Sequence, residues 1–131
     1  MSYEIELMKS VCGVNFGSTR DTVHSKLGPD FKEFKKTKFS KNTSDAYSFC
    51  HIYYTQDNKL EAVEFFPGAE ISVAGMVLPW DYNAIKTWIL NIDPKAKITQ
   101  EEVTSAANGI SMYAPDAEIE SILFATSEYF A

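Results

Sequence analysis

Apolar residues recur along this chain at two spacings, and each spacing predicts its own kind of element. Val23 and Leu27 lie one turn apart on a single helical face. Before them, Ser18-Thr19-Arg20-Asp21 has the form of a capping box, in which a serine oxygen accepts a backbone N–H and an acid answers it. Gly28-Pro29 then ends the helix, a left-handed residue followed by one that cannot continue. A second stripe, Ile85, Trp88, Ile89 and Ile92, predicts a longer helix capped by Asp81 and stopped before Asp93-Pro94.

Elsewhere the period is two. Asp57-Asn58 reads as a two-residue turn joining the run that ends at Gln56 to the run that starts at Lys59. That register sets Tyr54 opposite Glu61, Ile52 opposite Val63 and Cys50 opposite Phe65, a mostly apolar side expected to meet the helices. The other side carries Phe49, His51 and Tyr53 opposite Phe66, Glu64 and Ala62. Later in the chain the corresponding side is expected to hold Ile110, Met112, Ile119, Ser121 and Leu123. Both faces are then too apolar to be left to water. Loops, the N-terminus, a second copy in a homodimer, or another protein must cover the second one, and aromatic anchors carry most interface energy.

The chain also matches itself. Ser10-Val11-Cys12-Gly13-Val14-Asn15-Phe16 aligns with Ser72-Val73-Ala74-Gly75-Met76-Val77-Leu78, and the same displacement carries Val23 and Leu27 onto Ile85 and Ile89. Further on, Tyr54, Asp57 and Glu61 meet Tyr113, Asp116 and Glu120, while Leu60, Val63 and Phe65 meet Ile119, Ile122 and Phe124. Such self-similarity bears directly on architecture. The expectation is one domain over residues 1–131, of α+β class, made of a tandem α-β-β(-β) repeat with units at about 10–66 and 72–125. The simplest assembly is a single antiparallel sheet with both helices packed on one side.

Composition narrows the function. With 131 residues and 45% hydrophobic content, the chain can bury a core without disulfides or metal. Twelve basic residues against 18 acidic ones give a net charge of −6, which argues against nucleic acid as the main partner. No apolar run approaches a membrane span, and Met1-Ser2-Tyr3-Glu4-Ile5-Glu6 has neither the basic nor the apolar region of a signal peptide. A cytoplasmic location is expected. The charge is uneven: residues 1–65 balance, so residues 66–131 carry the whole −6. Lys32, Lys35, Lys36, Lys38 and Lys41 cluster against Glu33 alone, most simply a solvated strand or loop face. The acidic half suits docking of a basic partner.

No residue pattern signals catalysis. The two cysteines and two histidines stand at 12, 50, 24 and 51, without zinc-ligand spacing, and no glycine-rich phosphate loop occurs, so no cofactor or metal is expected. Asn42-Thr43-Ser44 is a glycosylation sequon in form only, with no secretion signal beside it. Cys50 and His51 are strand neighbours and point to opposite faces, so they form no dyad. His24 is expected at the surface with no partner. His51 opposite Glu64 is the one polar pair in the register, either an ordinary cross-strand contact or an acid–base pair. Trp88 falls on the buried helical stripe, whereas Trp80 beside Pro79 is a candidate exposed anchor.

Phe16-Gly17-Ser18-Thr19-Arg20-Asp21-Thr22-Val23 through Leu27-Gly28-Pro29, followed by a hairpin, resembles the helix-then-strands unit of β-lactamase-inhibitor-like proteins. The pattern Tyr53-Tyr54, Asp57-Asn58-Lys59-Leu60-Glu61-Ala62-Val63-Glu64-Phe65-Phe66, Gly109 and Tyr113-Ala114-Pro115-Asp116 is similar to small bacterial immunity proteins of toxin–immunity systems. The resemblance covers roughly residues 10–125 and implies a duplicated unit whose sheet grips another protein. It implies a non-enzymatic inhibitor, here a cytoplasmic immunity protein that neutralises a toxin, such as a basic nuclease, by stoichiometric docking. His51, Tyr53, Glu64 and Trp80 are the expected contacts, with Asp116, Glu118 and Glu120 as an acidic rim. Two other readings stay open: a small acid–base or hydrolytic enzyme using His51 and Glu64, and a self-associating structural domain.

Overall fold

One tight turn lies near the start of each half of the chain. Cys12 and Gly13 (φ 51° and 78°) and Ala74 and Gly75 (φ 52° and 80°) are consecutive left-handed residues, the geometry that reverses a strand in two residues. They close the hairpins β2 (Ser10–Val11) with β3 (Val14–Asn15), and β8 (Glu70–Val73) with β9 (Met76–Val77). The computed structural model describes residues 2–131. Ahead of the first hairpin runs β1 (Ser2–Glu6), whose alternate residues Tyr3 and Ile5 are buried.

After each hairpin comes a helix and then four strands. The first helix, α1 (Arg20–Leu27), leads to β4 (Lys32–Phe34), β5 (Ser44–Ala46), β6 (Cys50–Tyr54) and β7 (Leu60–Phe65). The second, α2 (Tyr82–Ile92), leads to β10 (Lys97–Ile98), β11 (Glu102–Ser105), β12 (Ile110–Tyr113) and β13 (Ser121–Ala125). The class is α+β, with mostly antiparallel pairing.

The expected single sheet is corrected to two. The small sheet has the order β3-β2-β1-β8-β9, and its central pair, β1 with β8, is parallel. The large sheet has eight strands in the order β10-β11-β12-β13-β7-β6-β5-β4, antiparallel throughout. The hairpins leave the large sheet because β1 offers each a partner edge. The alternation Tyr3, Ile5 that makes β1 a strand is only two apolar residues long, too short to stand out in the sequence. At the centre of the large sheet, β13 meets β7 with Ile122 opposite Phe65 and Phe124 opposite Val63.

One core holds these parts together. Val23 of α1, Ile85 and Ile89 of α2, and Ile5, Ile71 and Val73 of the small sheet pack into the same buried cluster as Ile52, Phe65, Ile110, Met112 and Phe124 of the large sheet. Both helices and the small sheet therefore share the inner face of the large sheet.

Local signals hold with small shifts. Thr19, not Ser18, caps α1, its hydroxyl accepting the Thr22 N–H at 3.3 Å. Ser18 lies one residue before the cap, its carbonyl accepting the Leu60 N–H at 2.8 Å. Gly28 (φ 92°) ends that helix, and Asp81 caps α2 by accepting the Ala84 N–H at 2.9 Å. Trp88 is half-buried against the core, while Ile92 at the end of the helix is exposed. The β6–β7 register keeps Cys50 with Phe65, His51 with Glu64, Ile52 with Val63 and Tyr53 with Ala62. Tyr54, however, faces Leu60 across a bulge rather than Glu61. The turn closes one residue wider than expected, Thr55 N–H to Lys59 O at 2.9 Å, and the extra residue is absorbed next to it.

Candidate functional site

The outer face of the large sheet, turned away from the helices, brings together three of the expected contact residues, His51, Tyr53 and Glu64. β6 presents His51 and Tyr53, β7 presents Ala62 and Glu64, and β13 presents Ser121, Leu123 and Ala125. Ile110 and Met112, expected here, are fully buried on the inner face instead. Their register places them opposite Phe124 and Ile122, both core residues, so Ser111 and Tyr113 take the outer positions.

Glu64 organises this face. Its two oxygens accept the Tyr53 hydroxyl at 2.5 Å and the Ser121 hydroxyl at 2.6 Å, tying three adjacent strands by side chains alone. Burial, and then the bond to Glu64, pushes the Tyr53 phenol far above its ordinary range. His51 stands across from Glu64 but packs between two rings, Phe34 and Phe66, each with its centroid 4.6 Å away. Burial lowers the His51 pKa, and the nearby Glu64 charge offsets this only in part. The imidazole thus sits as a mostly neutral aromatic contact, while the carboxylate is engaged by hydroxyls.

A short turn at Ser127–Phe130 folds back over the face. Its Tyr129 and Phe130 pack with Phe34 and Leu123 against Tyr53, Ala62 and Ala125, a second, smaller apolar cluster. Beside it opens a groove of about 350 Å³, lined among others by Glu64, Glu102, Ser111, Tyr113, Tyr129 and Phe130. Glu101, above all, with burial and then Glu120 and Glu102, raises the pKa of the exposed Tyr113 phenol, so this end of the face is electrically negative. Glu120 donates its backbone N–H to the Tyr113 carbonyl at 2.9 Å, while Asp116 and Glu118 are exposed on the same β12–β13 connection. Asp116 and Ala117 (φ 56° and 61°) form its left-handed turn.

Trp80 is not part of this surface. It is half-buried against the main core, and its indole N–H donates to the Ala69 carbonyl at 2.8 Å. A buried indole N–H needs a partner, and the loop after β7 supplies one.

A polar cluster elsewhere escaped the sequence. Asp45 on β5 is 0% exposed, and its carboxylate accepts from Arg20 Nη2 at 2.7 Å, His24 Nε2 at 2.7 Å and Tyr54 Oη at 2.6 Å. Arg20 also donates to the Thr43 carbonyl at 3.1 Å and lies 4.5 Å over the Tyr54 ring. The expectation of an unpartnered surface His24 is corrected: it is half-buried, bonded to Asp45 and stacked on Phe31 at 4.1 Å. Arg20 and His24 share a helical face, a legible signal, but nothing local marks Asp45 as their partner.

Among the described residues no three or more His, Cys, Asp or Glu side chains are grouped to hold a metal ion, and no helix is long and apolar enough to cross a membrane. Cys12 and Cys50 are free thiols, and burial pushes Cys50 up to about 12. No family model matches the chain, and neither a curated protein nor a solved structure matches it.

Proposed function

We propose that this protein is a non-enzymatic binding inhibitor, a cytoplasmic immunity protein that neutralises a toxin by stoichiometric docking. The observation that carries this reading is the outer face of the large sheet. It joins buried and half-buried aromatics, Tyr53, His51, Tyr129 and Phe130, to a groove edged by Glu64 and Glu102. Aromatic anchors beside a negative rim are the chemistry of a protein interface whose partner is basic. Tyr113 and Glu102 come from residues 66–131, which carry the whole −6. Asp116, Glu118 and Glu120 extend the negative rim, and a basic nuclease domain is the partner class that fits. Inhibition would follow from occlusion, with charge steering the encounter.

The tandem repeat belongs to the same reading. Hairpin, helix and four strands occur in the same order twice, and the two four-strand sets meet at β7 and β13. A duplicated unit of this kind makes one wide face from two narrow ones.

The test is co-purification with the product of the neighbouring upstream gene, followed by assay of that product's toxicity. Capture at equal stoichiometry with loss of toxicity supports the reading. A neighbour that stays active with this protein in excess overturns it.

A further inference from the structure

We propose that Tyr53 and Tyr129 form a recognition site for a lysine- or arginine-type side chain of the protein partner, and that Lys36 occupies this site in the free chain as an internal surrogate. The proposal rests on the inhibitor reading for its partner and adds the chemistry and regulation of the contact. The Lys36 ammonium lies 4.4 Å from the centroid of the Tyr53 ring and 5.4 Å from that of Tyr129. It also donates to the Tyr129 hydroxyl at 2.9 Å. A cation over a tyrosine ring is attracted by the ring quadrupole, more strongly where the ring is shielded from water.

The receptor half of this contact is built without Lys36. Tyr53 is buried on a central strand, and its hydroxyl is locked by Glu64, which Ser121 holds from the other side. Tyr129 is braced by Phe130 edge-on at 5.4 Å and by the apolar cluster beneath the turn. Such a site is preorganised, so little ordering opposes a cation that enters it.

The tenant half sits on an exposed turn. Lys36 lies between β4 and β5 in a stretch closed by bonds among its own residues, Thr37 N–H to Ser40 Oγ at 3.0 Å and Ser40 N–H to Thr37 O at 3.1 Å. Phe39 beside it is 81% exposed. The groove described above is lined by Tyr129 and by Glu64, the partner of the Tyr53 hydroxyl, so a basic side chain in the groove stands beside the site and would enter it by displacing Lys36. Its entry would release Lys36 and, with it, the lysine-rich stretch that would otherwise repel a basic partner.

The whole chain and N-acetyl-lysine methylamide as probe test this, with N-acetyl-norleucine methylamide as the uncharged control and Tyr53 and Tyr129 resonances as readout. Lys36→Met keeps the aliphatic stem and removes the ammonium. If Lys36 fills the site about nine-tenths of the time, vacating it tightens probe binding about tenfold, because only the remaining fraction of wild-type chains is competent. Adding Tyr129→Leu, at a surface turn, removes that gain. The proposal is overturned if Lys36→Met binds the probe no better than wild type, if norleucine amide binds equally, or if Tyr129→Leu leaves the gain intact. The probe is independent of any toxin. A chain that silences its neighbour's product yet shows no gain keeps the inhibitor reading and loses this site.

Discussion

Removing the Asp45 carboxylate is expected to be the most costly single polar change in the molecule. Asp45→Ala leaves the Arg20 guanidinium, the His24 ring and the Tyr54 hydroxyl without their shared acceptor. Removing one partner of a buried ion pair costs about 3–5 kcal/mol, because the remaining charge stays buried and unpaired. The low end applies here, since the Arg20 side chain keeps 14% exposure, the Thr43 carbonyl and Glu33 at 3.5 Å. About 3 kcal/mol is therefore expected, with Asp45→Asn smaller because the amide oxygen still accepts one bond. Urea unfolding followed by tryptophan fluorescence measures it: with a slope of roughly 2 kcal/mol per molar, the midpoint falls by about 1.5 M. Arg20→Met combined with Asp45→Asn should cost at least ~1 kcal/mol less than the sum of the single changes, since the pair is lost only once. A midpoint shift under about 0.3 M for Asp45→Ala, or strict additivity of the pair, would refute the claim that this cluster ties α1 to β5 and β6.

Three further outcomes are expected. His51 titrates below its ordinary 6.5 when folded, so the unfolded chain binds the extra proton first; its contribution is present above about pH 6.5 and lost as pH falls through the folded value. The melting temperature of wild type should therefore drop faster on acidification than that of His51→Phe, and parallel curves would contradict this. Gly109→Ala should destabilise by more than about 2 kcal/mol or prevent folding, because φ is 63° and a Cβ would sit 1.9 Å from the Ala125 carbonyl oxygen; a melting temperature within a few degrees of wild type would count against it. Tyr3 and Tyr47 are raised to about 12, chiefly by burial, so ultraviolet titration of the folded protein should lag that of the denatured chain above pH 10; superimposable curves would show that these phenols are not buried.

The sequence spoke most clearly where one local rule acted alone. The alternation around Asp57-Asn58 placed His51, Tyr53, Ala62 and Glu64 on one face with correct partners, because a bulge absorbs the extra residue of the wider turn. Asp81 and Gly28 marked helix ends for steric and capping reasons that need no tertiary context. It was least legible where distant segments pair through a short strand lying between them. The small sheet exists because β1 pairs with β2 and β8, and short strands of two to five residues give a weak alternation signal. Ile110 and Met112 were turned the wrong way because one residue of register exchanges the faces of a strand. Asp45 was invisible for a related reason. A buried carboxylate is recognised by its partners, and Arg20 and Tyr54 reach it across α1, β5 and β6.

The strand order also gives the charge a direction that composition alone does not. The lysine cluster begins on β4, at one edge of the large sheet, and runs on after it, whereas Glu101, Glu102 and Glu120 belong to the β11–β13 end beyond the midline at β7 and β13. Between these ends lie Tyr53 and Glu64, where a basic side chain, Lys36, crosses onto the aromatic face. A basic protein meeting this face, as the inhibitor proposal requires, would be drawn toward one end and repelled from the other, which would orient it before contact. The net value of −6 understates this, because it sums two ends of opposite sign. Orientation of that kind matters most for a binder that must cover one catalytic surface of its target, and less for a domain that only associates with itself.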